Sequence, residues 1–453
     1  MLPLKNISPD PKDEYFADGL TEEFISAISK VRELSVISST SAMQYKSRSK
    51  PVVEIGRELN AGTILEGSVR KAGNRVRITV QMIDAKHDKH EWAESYDREL
   101  QDVFAIQSDI AQKVTESMKV NLLESERVKI ERVPTKNVSA YEDYLRGVYL
   151  AQGPRWTSTD SIKHFEEAIG QDPAFSLAYA ALGNLYVALA GETVPPRQAF
   201  EKAEPLIKKA IELDENSSDA HLAKGNLAFQ YYLDWQQAET EFRKAIDLNP
   251  SNASAHFWHS LLHLVTGRLE EAMKEATVAH QLDPLSLFMQ HGIVGCLFVK
   301  RAYFQAAGLL ERMVQLEPDN AHYRLFLAYS YCLAGKLEEA EKEAEAIRRL
   351  NVISRDKILL ARVHALLGKR DEARSLLRDI ETERRIQYYS LTNLASVYVA
   401  LGEKEKALDM MEEEFEEDRA SFLFNYWLPE FDPVRQDPRF ISLHARLNLP
   451  KEP

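Results

Sequence analysis

Cysteine is almost absent from this chain of 453 residues, which contains only Cys296 and Cys332. Two cysteines form neither the disulfide framework of a small secreted domain nor a thiolate metal site, so a reducing compartment is indicated. The chain also lacks any run of about 18 apolar residues, and its first residues, MLPLKNISPD, contain no apolar stretch behind a basic flank. We therefore expect no membrane span and no secretory signal, and we predict a cytoplasmic protein.

Basic residues are outnumbered in this sequence. The 70 aspartates and glutamates stand against 57 lysines and arginines, which gives a formal net charge of −13. This balance argues against a large nucleic-acid footprint, because such a footprint requires clustered basic side chains. Signatures of catalysis are also missing, including phosphate-binding loops, dinucleotide-binding glycine patterns, kinase catalytic loops and zinc-protease motifs. We expect no catalytic residues, no cofactor and no enzyme activity from this chain.

Residues 1–130 carry alternating strand and helix signals and are predicted to form a small α/β (α+β) domain. Thr63–Lys71 and Arg75–Asp84 alternate apolar and polar residues on either side of a glycine-containing turn, which is the pattern of a β-hairpin. Helical spacing is found over Leu20–Lys30, where Asp18 is placed to cap the helix. The hairpin and the helices together predict a sheet with one face covered.

Four segments of this block resemble the TolB N-terminal-like domain in sequence, order and spacing. They are Asp13–Glu23 (DEYFADGLTEE), Leu65–Arg70 (LEGSVR), Arg75–Thr79 (RVRIT) and Trp92–Arg98 (WAESYDR). In that family the domain often lies between an N-terminal effector and C-terminal helical repeats. The effector is a class III nucleotide cyclase, a winged-helix DNA-binding domain or a Ser/Thr kinase. The resemblance therefore implies an effector that this chain does not carry, encoded upstream or separately.

From residue 138 onwards the pattern is nearly all helical and repeats itself. Small residues recur at intervals of 33 or 34 residues, at Ala272, Ala306, Ala340, Ala373 and Ala407. Glycines at the hairpin turns follow the same frame, with Arg301 in place of glycine once. This is the period of the tetratricopeptide repeat, a helical hairpin that stacks into a superhelical solenoid. We predict about eight repeats over residues 138–420, followed by a capping segment over residues 421–453.

The inner wall of such a solenoid is formed by the first helix of each repeat. Counting from the packing positions predicts which side chains line this wall: Asn184, Asn226, Phe229, Phe257, Leu261, Leu264, Phe298, Leu325 and Tyr329. A largely apolar wall is typical of a groove that holds a peptide or helix of a partner protein. The alternatives are tight superhelical packing of these residues and cover by the N-terminal domain.

Two groups of polar residues resemble sites but have simpler explanations. His256, His259 and His263 lie three and four residues apart on one helix, as metal ligands do, yet they coincide with packing positions of the repeat. We therefore expect structural histidines and no metal site. The acidic run Glu412–Glu417 is expected to be a solvated helix face.

These observations favour a protein-interaction scaffold that binds a partner protein or peptide in the groove and couples to an effector. One alternative is part of an adenylate or guanylate cyclase-type signalling enzyme whose catalytic domain is absent from this chain. Another is a TolB-like envelope assembly partner, which requires an export signal that residues Met1–Lys30 do not supply. The sequence leaves the identity of the partner and the oligomeric state open.

Overall fold

The computed structural model describes residues 1–46, 50–152, 159–191, 194–350, 352, 354–384 and 388–450. Most of these residues are helical, and one four-stranded sheet lies in the N-terminal part. The predicted fold class, a small α/β domain followed by an all-α solenoid, is confirmed. Within the described ranges, no helix is both long enough and apolar enough to cross a membrane.

The sheet has its strands in the order β1-β2-β3-β4. The strands are β1 (Lys5–Asn6), β2 (Thr63–Ala72), β3 (Arg75–Asp84) and β4 (Lys89–Glu99). β1 pairs with β2 in parallel, and the other neighbours are antiparallel. β2 and β3 form the predicted hairpin, whose turn holds Gly73 at φ 58°, a conformation that suits glycine. On β3, Val76 and Ile78 are fully buried because helices cover one face of the sheet.

Five helices accompany the sheet over the described residues: α1 (Glu14–Ser29), α2 (Ser39–Met43), α3 (Val52–Glu58), α4 (Val103–Ser117) and α5 (Glu124–Glu131). α1 begins earlier than predicted because Tyr15 and Phe16 are buried in the core and extend its apolar face. Asp18 therefore lies inside α1, and the prediction that it caps this helix was wrong. Its carboxylate instead forms an ion pair with Lys46 Nζ at 2.5 Å.

Helices α6 to α21 form eight antiparallel hairpins along the solenoid. The first four hairpins contain α6 (Val138–Gln152), α7 (Thr159–Gln171), α8 (Ser176–Leu189), α9 (Pro196–Leu213), α10 (Ser218–Leu227), α11 (Trp235–Leu248), α12 (Ala253–Val265) and α13 (Leu269–Leu282). The last four contain α14 (Leu287–Val299), α15 (Tyr303–Leu316), α16 (Ala321–Leu333), α17 (Leu337–Ile347), α18 (Ser354–Leu366), α19 (Arg370–Glu383), α20 (Leu391–Ala400) and α21 (Lys404–Glu414). In each hairpin the even-numbered helix is the first and the odd-numbered helix the second.

The recurring alanines lie where neighbouring helices approach closely. Ala272 and Ala306 are fully buried, and a larger side chain there would push the helices apart. The turns between the two helices of a hairpin hold glycine at positive φ, for example Gly267 at 82° and Gly335 at 75°. Arg301 takes φ 56° at the equivalent position, so the repeat frame imposes the turn even without glycine.

After α21 the chain forms α22 (Arg419–Asn425), a 3-10 turn (Pro429–Val434) and α23 (Pro438–Arg446). α23 packs on α21 through Arg439, whose Nη2 lies 2.5 Å from both Asp409 and Glu412. This position covers the last hairpin. Residues 451–453 of the predicted capping segment lie outside the described residues.

The acidic run of α21 is not solvated throughout. Glu414 is only 5% exposed, so the prediction of a solvated face was wrong at this position. Its carboxylate turns inward because it accepts hydrogen bonds from the backbone N–H groups of Leu391 and Thr392 at the start of α20. Glu412 and Glu413 are exposed, as expected.

The N-terminal domain and the first repeats share one apolar core, in which α1 packs against α6. The segment after α1 then runs along the loops that connect later repeats and forms hydrogen bonds with them. Val36 N donates to Ser251 Oγ at 3.1 Å, and Ser41 Oγ donates to Asp283 Oδ1 at 2.5 Å. The domain is therefore fixed to the edge of the solenoid that these inter-repeat loops form.

Candidate interaction groove

The side chains predicted to line the groove lie on the first helices of their repeats, or, for Phe229, in the π-helical turn Ala228–Tyr232 that continues α10, but most of them are not accessible. Asn184 and Leu261 are partly exposed. The other seven are buried: Asn226, Phe229, Phe257, Leu264, Phe298, Leu325 and Tyr329. The groove is therefore closed over most of the predicted wall.

A return of the chain covers part of this wall. We call residues 419–435, which include α22 and the 3-10 turn, the C-terminal segment. The ring centroid of Phe424 lies 5.6 Å from that of Phe229 and 6.5 Å from that of Trp258. The ring of Trp427 lies 6.5 Å from that of Phe298. The sequence alternatives did not include this occupant, because contacts between residues so distant in the chain leave no local pattern.

The polar anchor of the C-terminal segment is Glu430, whose Oε2 accepts a hydrogen bond from Tyr329 Oη at 2.8 Å. Burial raises the pKa of this carboxyl above its ordinary value, although the nearby Arg362 acts in the opposite direction. The Arg362 guanidinium lies 5.4 Å from the centre of the Tyr329 ring. Within the described residues, Glu430 Oε1 and Arg362 Nε have no hydrogen-bond partner. This contact is therefore buried but incompletely satisfied.

An open part of the groove remains beside the C-terminal segment. It is a contiguous set of rings on α12, α14 and α16, which we call the aromatic strip: Phe257, Phe288, His291, Tyr323 and Phe326. Ring centroids lie 4.4 Å apart for Phe257 and Phe288, and 5.0 Å apart for His291 and Phe326. Phe288 is 49% exposed, so the strip presents apolar surface to solvent.

Sequence reasoning found only one member of the aromatic strip, Phe257. His291 stands one repeat of 34 residues after Phe257 and one repeat before Leu325, so the period alone would have identified it. Phe288 precedes His291 by three residues on the same helix face. The repeat period could therefore have identified His291, and the helical spacing could have identified Phe288.

The first repeats contribute a different surface, at the junction with the N-terminal domain. Asn184 Nδ2 donates to the backbone oxygen of Asp219 at 3.0 Å. Asp219 borders a cleft of about 250 Å³ that Glu23 of α1 and Lys30, the residue after this helix, also line. Asn184 therefore takes part in the packing between neighbouring repeats beside this cleft.

Glu23 is an acid of this cleft whose pKa is strongly raised. Its Oε1 accepts a hydrogen bond from Tyr144 Oη of α6 at 3.0 Å. Burial raises its pKa from 4.5 to about 7, while the neighbouring Lys30 opposes this change. Burial likewise lowers the pKa of Lys30. Glu23 consequently links the protonation state of the protein to the docking of α1 on α6.

We expect the free energy of unfolding to fall by about 1–3 kcal/mol as the pH rises from 4.5 to about 7, through Glu23 alone. The folded state keeps the Glu23 proton in this window while the unfolded chain has lost it, so deprotonation favours unfolding. Urea titrations of the wild type and of Glu23→Gln at pH 5 and pH 8 measure this term. The stability difference between the two proteins should change between these pH values, whereas Glu33→Gln, at an exposed carboxylate, should show no such change.

The three histidines occupy packing positions, as the sequence indicates. His256 Nδ1 lies 2.5 Å from Glu275 Oε2, and His259 Nε2 lies 3.2 Å from Glu239 Oε1. Burial lowers the pKa of His263 to about 4, so its ring is neutral at ordinary pH.

Ligand atoms of Glu239, His259 and His263 lie within 4.8 Å of one another, which is close enough for a cation. However, the Glu239 carboxylate already receives Arg243 Nε at 2.7 Å and Arg268 Nη2 at 2.8 Å. Two guanidinium groups at the same carboxylate disfavour a bound metal ion. The arrangement is that of a buried polar cluster between helices.

Two stretches of the solenoid match family profiles described as tetratricopeptide repeat, namely residues 233–286 and 357–379. The first covers parts of the hairpin α10–α11 and the whole of α12–α13, and the second lies in α18–α19. The predicted tetratricopeptide repeats are thereby confirmed. The TolB N-terminal-like domain stays a prediction.

Two curated proteins are similar to parts of the chain. A protein of Rhizobium meliloti (strain 1021) named "Putative adenylate cyclase 3" is 37% identical over 183 residues, which are 40% of this chain and 31% of that protein. "Tetratricopeptide repeat protein 37" of Xenopus laevis is 22% identical over 220 residues, which are 48% of this chain and 14% of that protein. The chain therefore spans about a third or less of the length of these relatives.

Solved structures of other proteins are similar to parts of the chain. Pseudomonas aeruginosa pilF is 24% identical and matches 48% of this chain and 94% of its own, with a TM-score of 0.36. A tetratricopeptide repeat protein from Parabacteroides merdae is 14% identical and matches 59% of this chain and 100% of its own, with a TM-score of 0.42. Yeast Tom70 is 16% identical and matches 77% of this chain and 82% of its own, with a TM-score of 0.41.

Proposed function

We propose that this chain is a non-catalytic scaffold that binds a partner protein or peptide through the aromatic strip of its groove. The observation that supports this proposal is the exposure of Phe288, which is 49% accessible although its ring contacts Phe257 at 4.4 Å. A large ring in contact with other rings is a typical anchor point of protein interfaces, because it removes much apolar surface from water when a partner covers it.

The surroundings of Phe288 suit a protein ligand rather than a small molecule. The strip extends over three successive first helices, α12, α14 and α16, so a ligand that covers it must extend across three repeats. His322 adds a polar edge, with Nδ1 2.6 Å from Asp356 Oδ1 and its ring 4.8 Å from that of Phe326. An apolar centre with a polar rim is the usual composition of a protein interface.

We also propose that the bound state is passed to an effector, and that the protein acts in the cytoplasm. The support is the resemblance of the N-terminal block to domains that lie next to effectors, and the similarity to a relative that carries a cyclase name. A second candidate is that the chain forms the non-catalytic part of a cyclase-type signalling enzyme. If the purified chain turned over ATP, this chain would itself be catalytic, and both proposals would be wrong.

Replacing Phe288 by aspartate should weaken binding of the partner by about tenfold or more, because a charge is introduced at the centre of the strip. Affinity capture from an extract of the source organism, quantified against the wild type, measures the loss for each bound protein. The matched control is Leu316→Asp at the end of α15, where a side chain that is 66% exposed receives the same charge.

The expected result is a set of proteins that the Leu316→Asp variant retains and the Phe288→Asp variant loses. If both variants retain the same proteins, the aromatic strip is not the binding surface. Because Phe288 is half exposed, its replacement should leave the thermal unfolding temperature nearly unchanged, which separates a lost contact from a lost fold.

A further inference from the structure

The C-terminal segment contacts the groove through three side chains with regular spacing. Phe424, Trp427 and Glu430 follow one another at intervals of three residues. Phe424 lies against Phe229 and against Trp258 of α12. Trp427 lies against Phe298 of α14, and Glu430 accepts its hydrogen bond from Tyr329 of α16. Each step of three residues therefore moves the contact to the next repeat.

This spacing has a physical basis. Packed helices lie about 8–10 Å apart. Arg419–Asn425 is α-helical and Pro429–Val434 is a 3-10 turn, so three residues advance the backbone by about 5–6 Å, and the long side chains of Phe424, Trp427 and Glu430 reach the remaining distance. A segment that crosses the first helices of the solenoid can therefore offer one side chain to each repeat every three residues. The three contacts lie on successive repeats, so a segment with the same side chains in the same conformation would meet the same partners.

The groove holds these three side chains less completely than a core would. Phe424 and Trp427 remain partly exposed. Glu430 Oε1 and Arg362 Nε lack hydrogen-bond partners within the described residues, and a buried polar atom without a partner destabilises the contact. Of these two atoms only Arg362 Nε belongs to the groove, and a ligand carboxylate that accepts its hydrogen bond would bind more favourably than Glu430 does.

The C-terminal region also has stabilising contacts of its own. Phe422 and Phe431 both pack on Phe440 of α23, with ring centroids 5.3 and 5.8 Å apart. Arg435 donates to the backbone oxygens of Tyr426 and Leu428 at 2.6 and 3.0 Å. Phe422 and Phe431 also belong to the same apolar core as Phe229, so the C-terminal region stays attached to the solenoid when the side chains of Phe424 and Trp427 are truncated.

We propose that the groove from α10 to α16 recognises protein segments that carry two aromatic side chains three residues apart, followed after three more residues by a carboxylate. Residues 424–430 occupy this site in cis, and a partner segment of the same chemistry replaces them. This inference rests on the proposed function as a scaffold, and it names the kind of partner. It concerns the covered part of the groove, whereas Phe288 belongs to the open part.

The test uses the full chain and a fluorescein-labelled peptide with the sequence of residues 419–435. In the Phe424→Ala/Trp427→Ala variant the groove has lost its intramolecular anchors. We expect this variant to bind the peptide at least tenfold more tightly than the wild type does, as measured by fluorescence anisotropy. The control peptide carries alanine at the positions of Phe424, Trp427 and Glu430, and we expect it to bind neither protein.

Cys332 provides a second readout. It lies one turn after Tyr329 on α16, and burial together with the charge of Glu430 raises the pKa of its thiol to about 12. Opening of the groove should increase its rate of modification by an aromatic disulfide reagent at least tenfold, and the peptide should restore the slow rate. Cys296, which is 1% exposed on α14, reports on the fold and should stay unreactive.

Two results would overturn the inference. One is a folded double variant that binds neither peptide and whose Cys332 stays as slow as in the wild type. The other is equal binding of the two peptides. If the double variant also exposes Cys296, the single substitution Trp427→Ala replaces it and the same criteria apply. A failure here leaves the capture experiment at Phe288 unaffected, so failure of this inference and failure of the proposed function are distinguishable.

Discussion

Replacing Phe229 by alanine should lower the free energy of unfolding by about 3–5 kcal/mol. Phe229 was predicted to line the groove, yet its side chain is fully buried. Its ring contacts those of Phe242 and Trp258 from the solenoid, and that of Phe424 from the C-terminal segment. Removing the ring leaves a cavity that these rigid neighbours cannot fill, and urea titration measures the loss of stability.

The matched control for Phe229 is Phe304, a phenylalanine of α15 that is 66% exposed. Phe304→Ala should cost about 1 kcal/mol or less, mainly through the contact of its ring with Lys336 Nζ at 4.8 Å. If Phe229→Ala lowered the free energy of unfolding as little as Phe304→Ala does, Phe229 would belong to an accessible wall. The conclusion that the C-terminal segment covers the groove would then be wrong.

The repeat architecture could be predicted because it depends on contacts between residues close in sequence. A helical hairpin needs a small residue where its helices meet and a residue of positive φ at its turn, and both recur with the period of the repeat. Ala272 and Gly267 show this pairing in one hairpin. Arg301 adopts the positive φ that glycine has at this turn in other repeats. The packing of the repeat therefore determines the turn conformation even where the residue is not glycine.

The ends of elements were harder to predict than their existence. Asp18 resembles a helix cap by its residue type, but the buried side chains of Tyr15 and Phe16 extend α1 beyond it. Tertiary packing overrides local preference when apolar residues continue the helical stripe. The β2–β3 hairpin was predicted well because its alternation and its glycine turn agree with each other.

The occupant of the groove could not be predicted. The sequence indicates an apolar inner wall, but it does not say what covers that wall. The contact of Phe424 with Phe229 joins the third hairpin to the segment that follows the eighth, and it depends on the curvature that the hairpins between them accumulate. A small error in the rotation per repeat would move the C-terminal segment away from the wall, so the contact requires the complete structure.

The second large effect is expected at Glu414, whose replacement by alanine should lower the free energy of unfolding by about 3–5 kcal/mol, because each buried donor left without a partner costs about 1–3 kcal/mol. Its carboxylate accepts hydrogen bonds from Leu391 N at 2.6 Å, Thr392 N at 2.7 Å and Ser390 Oγ at 3.0 Å. These donors lie at the N-terminus of α20, where backbone N–H groups have no partner within the helix. Alanine would leave them buried and unsatisfied.

The loss at Glu414 should be both global and local. Urea titration measures the global part, and amide hydrogen exchange at Leu391 and Thr392 measures the local part, which should become faster as the start of α20 opens. Glu413→Ala is the matched control, because its side chain is exposed on the same helix and its replacement should change stability by less than about 0.5 kcal/mol. Equal effects of the two substitutions would contradict the role of Glu414. The two neighbours should differ because only Glu414 is buried and connects α21 to α20.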